Sequence, residues 1–135
     1  MKSFIATVSL ILLIASTGLA QKKFERISSQ EGLEAYAKWG TAKVDGQKKS
    51  VILLKLINTN DSAIVYSLDV EFFFQGKRVE AFEQESACID GGKTHQGKLN
   101  GLYFYSETLS SEQITSDDFE YVITVTPQGK EGKCD

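Results

Sequence analysis

A chain of 135 residues with a formal net charge of −3 has the length of one domain, which buries roughly two thirds of its unfolded surface. Its lysines alternate with its acids and form no block, which excludes a nucleic-acid footprint and a polybasic membrane patch. With two cysteines and one histidine it also lacks the ligand stock of a zinc site and the Cys-x-x-Cys spacing of a redox pair.

The N-terminal MKSFIATVSLILLIASTGLA has a lysine, an apolar run and a small-residue ending before Gln21, the pattern of a secretory signal peptide cleaved after Ala20. The run from Phe4 to Ile14 is broken by Thr7 and Ser9 and is shorter than the roughly 20 apolar residues of a membrane span. No cysteine stands at the cleavage point to carry a lipid, and no later apolar run is long enough to cross a bilayer. Residues 1–20 are therefore expected to be removed, leaving 21–135 as a single exported domain, secreted or periplasmic. Outside the cytoplasm an even cysteine count means one disulfide, Cys88 to Cys134, which pins the tail to the middle of the domain.

In ISSQEGLEAYAKW, Ser28 and Glu31 suit a helix start, but Gly32 and the alternation of Leu33, Ala35, Ala37 and Trp39 favour a strand over LEAYAKWGTAKV. SVILLKLIN reads as a strand apolar on both faces except at Lys55, and NTNDS as the turn after it. In the next segment Ile64, Tyr66, Leu68, Val70, Phe72 and Phe74 share one face, while Val65, Ser67, Asp69, Glu71 and Phe73 share the other. That is a half-buried strand. QGKR then turns tightly into VEAFEQE, so the middle of the chain reads as a three-strand meander.

The following stretch, ACIDGGKT from Ala87 to Thr94, matches a P-loop if alanine is allowed at its first position. A P-loop needs a helix N-terminus directly after it to present backbone N–H groups to the phosphates. Here HQGKLNGLYF follows, with more glycines and then strand-like residues, and neither Asp69 nor Asp90 suits a Walker B position. The stretch is read as a loop in which Asp90, Gly91, Gly92 and Gly97 turn the chain and Lys93, Thr94 and Lys98 are exposed. No nucleotide is expected. LNGLYFYS reads as another strand, Ser110 and Gln113 form a capping-box pattern for a short helical turn, and FEYVITVTP alternates again at Phe119, Tyr121, Ile123 and Val125. Pro127 is taken as the end of that last strand.

About seven short strands with regular turn signals describe an antiparallel β-sandwich, all-β with one helical turn before the last strand. The succession LLKLINTNDSAIVYSLDVEFFFQGKRVEAFEQESACIDGGKT resembles small exported bacterial domains of immunoglobulin-like architecture, over roughly Val51 to Phe104. What the resemblance implies is a module that binds, spaces or braces other proteins; it transfers no catalytic or ligand residue.

The residues themselves point away from catalysis. His95 sits in the glycine-rich loop as an exposed residue with no nucleophile-elbow sequence to serve. Asp117, Asp118 and Glu120 lack EF-hand spacing and read as a solvated acidic patch. Asn60-Asp-Ser fits an N-glycosylation sequon, and Asp61-Ser-Ala resembles a bacterial O-glycosylation acceptor. Strand parity sends Phe73 away from Phe72 and Phe74 and splits Tyr103, Phe104 and Tyr105 in the same way. Phe73 with Phe104 or Tyr36 is the candidate interaction surface. The expected function is a non-enzymatic accessory or structural module that binds another envelope or secreted protein, without cofactor or metal. The alternative is a carbohydrate- or calcium-binding module.

Overall fold

The computed structural model describes residues 23–135, and the expected signal segment lies outside the described residues. The chain forms strands β1 (Glu25–Gln30), β2 (Leu33–Val44), β3 (Gln47–Asn58), β4 (Ala63–Phe74), β5 (Lys77–Ile89), β6 (Thr94–Gln96), β7 (Tyr103–Phe104) and β8 (Phe119–Glu131). A 3-10 turn occupies Lys98–Asn100 and a single helical turn, α1, occupies Ser111–Ile114. The strands make two antiparallel sheets. One runs β1-β2-β3, with β6 and β7 both pairing the far edge of β3; the other is β5-β4-β8.

Three hairpins share one turn chemistry. Glu31-Gly32, Asp45-Gly46 and Gln75-Gly76 each hold both central residues at positive φ, the pair of left-handed conformations that a two-residue turn needs to match strand twist. Glycine at the second place makes that conformation inexpensive. The first of these turns joins β2 to β1, a strand not anticipated because its residues are polar and its pairing is interrupted by a bulge at Ile27.

Alternation sets the core. Ala35, Ala37, Ile52, Leu54 and Leu56 of the first sheet face Tyr66, Leu68, Val70, Phe72, Ile123 and Val125 of the second, and all are buried. Trp39 lies between the sheets 5.8 Å from Phe119 and 6.0 Å from Tyr121, while Phe72 lies 5.2 Å from both Phe82 and Phe119, most of these as tilted or edge contacts. Such aromatic pairs add about 1 kcal/mol each beyond the area they bury. No helix among the described residues is long and apolar enough to cross a membrane.

The expected three-strand meander is corrected. β3 and β4 lie in different sheets, so residues Thr59–Ser62 carry the chain from one layer to the other. Asn58 holds this corner. Fully buried, it donates from Nδ2 to the carbonyls of Ser62 and Ile89, both at 3.0 Å, and accepts at Oδ1 from the backbone N–H and side-chain amide of Asn60, also at 3.0 Å. Gly91 passes beside it so closely that a Cβ there would lie 2.3 Å from the Asp61 carbonyl oxygen.

Two further expectations change. LNGLYFYS is mostly irregular, with only Tyr103 and Phe104 in a strand. β8 does not stop at Pro127 but runs on to Glu131. Tyr66 pairs with Pro127 while Val65 pairs with Gly129, so Gln128 bulges out and the missing proline N–H falls on an edge strand at a bulge, where it costs no ladder bond.

The Ser110–Gln113 capping box forms, with Gln113 N–H donating to Ser110 Oγ at 3.1 Å and Ser110 N–H to Gln113 Oε1 at 2.8 Å. Cys88 and Cys134 are bonded, with their Cα atoms 5.7 Å apart. Ahead of α1, the buried Ser106 donates to the Glu80 carboxylate and accepts from the N–H groups of Thr108 and Leu109. Glu80 also takes the Glu107 N–H at 2.9 Å, so β5 fastens that loop along its edge.

Burial of Tyr121, with the Glu25 carboxylate adding a smaller push, raises its phenol from the ordinary 10.0 to about 12. Because the folded value exceeds the unfolded one, this stabilisation is complete below pH ~10 and is lost as pH rises toward 12. The loss is on the order of 2 kcal/mol. Urea midpoints measured from pH 8 upward should fall in that window, and Tyr121→Phe should shrink the fall, leaving the part due to Tyr66, also raised by burial. An alkaline fall of the same size in the phenylalanine variant would refute the assignment to Tyr121.

Candidate interaction surface

The candidate residues do not meet. Phe73 lies on the outer face of the β5-β4-β8 sheet, between Arg78 and Glu120. Tyr36 lies on the outer face of the other sheet, because its neighbours Ala35 and Ala37 are the ones buried. Phe104, opposite Ile52 on β3, points inward and packs against the core 5.6 Å from Phe82. Parity along a strand assigned sides correctly but not which sheet each side belonged to.

What the structure does assemble is a cross-strand pattern around Tyr36. One row runs Arg26, Tyr36, Lys55, Gln96 across β1, β2, β3 and β6, and a second runs Lys38, Leu53, Tyr103. Lys38 and Lys55 place their ammonium groups 4.6 and 4.8 Å from the centre of the Phe24 ring, and Lys55 is also 5.1 Å from that of Tyr36. Beside them Tyr103 and Tyr105 stack at 6.0 Å, with Lys98 5.9 Å from the first ring and Lys49 5.3 Å from the second. Lysine stems lie along the apolar rings and their charge is held by the ring quadrupoles. Glu34 is the carboxylate in this area, and it accepts the Tyr36 phenol at 2.8 Å. That bond comes first among the causes that push the Tyr36 pKa upward.

The opposite outer face has the other sign. Its rows are Glu83, Asp69, Thr124 and Ala81, Glu71, Val122, with Arg78 donating to Glu71 at 3.0 Å. On a chain that is mildly acidic as a whole, the two faces thus carry opposite charge.

ACIDGGKT ends β5, turns at Asp90–Gly92 and enters β6, joining strand to strand. Its amides are spoken for, Gly92 N–H by the Asn58 carbonyl at 2.9 Å and Lys93 N–H by that of Asp90 at 3.2 Å, so they form no anion cradle. His95 is corrected from exposed loop to half-buried strand residue, opposite Leu56 in β6. Asp117 and Asp118 are exposed between α1 and β8, and among the described residues no group of His, Cys, Asp and Glu is placed to hold a metal. Asn60, the sequon residue, spends its amide on the Glu31 carbonyl at 2.9 Å and on Asn58 Oδ1, so a sugar on that nitrogen would break the corner. The signal for the lysine–aromatic surface was present in AYAKW, LLKLI and YFY, but it becomes a pattern only once strand register places them side by side.

No protein-family model matches the chain, and no curated protein or solved structure does.

Proposed function

We propose that the chain is an exported, non-enzymatic, immunoglobulin-like β-sandwich that binds an acidic surface of another envelope or secreted protein through the outer face of its larger sheet. The observation that carries this is the set of lysine ammonium groups held over Phe24, Tyr36, Tyr103 and Tyr105 on one face. Aromatic rings with flanking cations are the residue types that dominate protein interfaces, and a field of one sign steers a partner of the other. The carbohydrate alternative needs a bare ring face for the sugar to stack on, whereas these rings are occupied by lysines or by each other.

The architecture favours the immunoglobulin-like reading at the level of strand order. β2, β3 and β6 take the places of strands A, B and E, and β5, β4 and β8 those of C′, C and F, with the chain changing sheets at the corresponding steps. Function rests on the face rather than on the fold.

The test is charge reversal. A Lys38→Glu/Lys49→Glu/Lys55→Glu variant should lose capture of the partner from the source's own envelope or secreted fraction. Its unfolding midpoint should stay close to the parent's, since surface changes usually cost within about 0.5 kcal/mol. Raising salt should weaken the parent's capture in the same direction. Equal capture by parent and variant would overturn the reading.

A further inference from the structure

We propose a second interaction site, independent of the lysine face: the outer edge of β8, from Tyr121 to Thr126, pairs antiparallel with the same edge of a second copy. A free sheet edge is a row of unpaired N–H and C=O groups that recruits another strand unless it is blunted by shortness, charge, bulges or cover. The other edges of this protein are blunted in those ways. β1 is short, charged at Glu25 and Arg26, and bulged at Ile27. β6 and β7 span only three and two residues. β5 carries Lys77, Arg78, Glu83 and Glu85, breaks register twice, and is fastened under the 106–109 loop by Glu80.

β8 is different. Its hydrogen-bonded neighbour is β4, and β1 approaches it without pairing. Between Glu120 and its bulge at Gln128 it reads Tyr121-Val-Ile-Thr-Val-Thr126, an uncharged, β-branched run without proline, the composition that pairs most readily at an edge. In the strand-order comparison above, this is also the edge on which a strand G would lie.

The sequence is self-complementary for an antiparallel partner. Centring the pair on Ile123 sets Val122 opposite Thr124, Tyr121 opposite Val125, and Glu120 opposite Thr126, so no like charges meet. Such a contact is isologous and closes as a two-fold dimer. It joins the two β5-β4-β8 sheets edge to edge and leaves both lysine faces free.

Sedimentation equilibrium of the oxidised chain over a concentration series tests this, with Val122→Lys/Thr124→Lys as the variant. In one copy the new lysines stand beside Glu71 and Asp69 on β4 and leave the fold intact; across the seam they stand opposite each other. A parent dimer that the variant weakens by more than about tenfold is the expected result. A monomeric parent throughout the series, or a dimer unchanged in the variant, would overturn the proposal. Should the variant fail to fold, amide exchange of the parent decides. Protection of alternate β8 amides that rises with concentration supports the edge, and protection that does not rise refutes it.

Discussion

Asn58→Leu is expected to lower the unfolding free energy by about 3 kcal/mol, read as the urea midpoint with an unchanged slope. Leucine has nearly the volume of asparagine, so the loss isolates hydrogen bonding from packing. Four polar partners converge on this fully buried side chain: the carbonyls of Ser62 and Ile89 on its amide, and the backbone and side-chain N–H groups of Asn60 on its oxygen. Each buried group left without a partner costs about 1–3 kcal/mol, and the more exposed ones regain water. Asn58→Asp is the sharper variant. It keeps the acceptor for Asn60 but turns a second carboxylate oxygen toward the two carbonyls, so it should be at least as damaging as leucine. If aspartate were tolerated better than leucine, the direction of these hydrogen bonds would not be what holds the corner.

That corner also explains which parts of the fold could be read from residues alone. Alternation from Ile64 to Phe74 and from Phe119 to Val125 specifies faces because side chains alternate with period two. The Asp45-Gly46 and Gln75-Gly76 turns specify hairpins because few residue pairs tolerate two positive φ values. Asn58 to Ser62, by contrast, has the composition of any tight turn. Whether it returns the chain to the same sheet or sends it to the other depends on Ile89, 31 residues away in sequence, accepting the Asn58 amide. Pro127 misled for a related reason: its cost depends on whether the strand is an edge, a property of the assembled sheet. The candidate surface followed the same division. Parity turned Tyr36 outward, but only register brings Lys55 beside it and sets Phe73 on the opposite face.

Removing the disulfide, by Cys88→Ala/Cys134→Ala, is expected to cost about 4 kcal/mol in the chain-entropy model. The cysteines are 46 residues apart, and the loop they close contains β6, β7, α1 and β8. At this chain size that is a fall in melting temperature on the order of 15 °C. The bridge joins the end of β5 to the tail beyond β8, with β4 between them, and Asp90 Oδ1 accepts the Cys134 N–H at 2.7 Å beside it. The core is elsewhere, at Leu54, Val70 and Phe72, so the variant should still fold. Amide exchange separates two origins of the loss. If the bridge acts by restricting the unfolded chain, the slowest amides of β3 and β4 should all accelerate by the same factor, because they exchange only through global unfolding. If it acts by clamping the tail, acceleration should be confined to Gly129–Glu131 and their partners Ala63–Val65. A uniform acceleration with a loss near 4 kcal/mol is the expected result; a loss under about 1 kcal/mol confined to that end would mean that the sandwich closes this loop without the bridge.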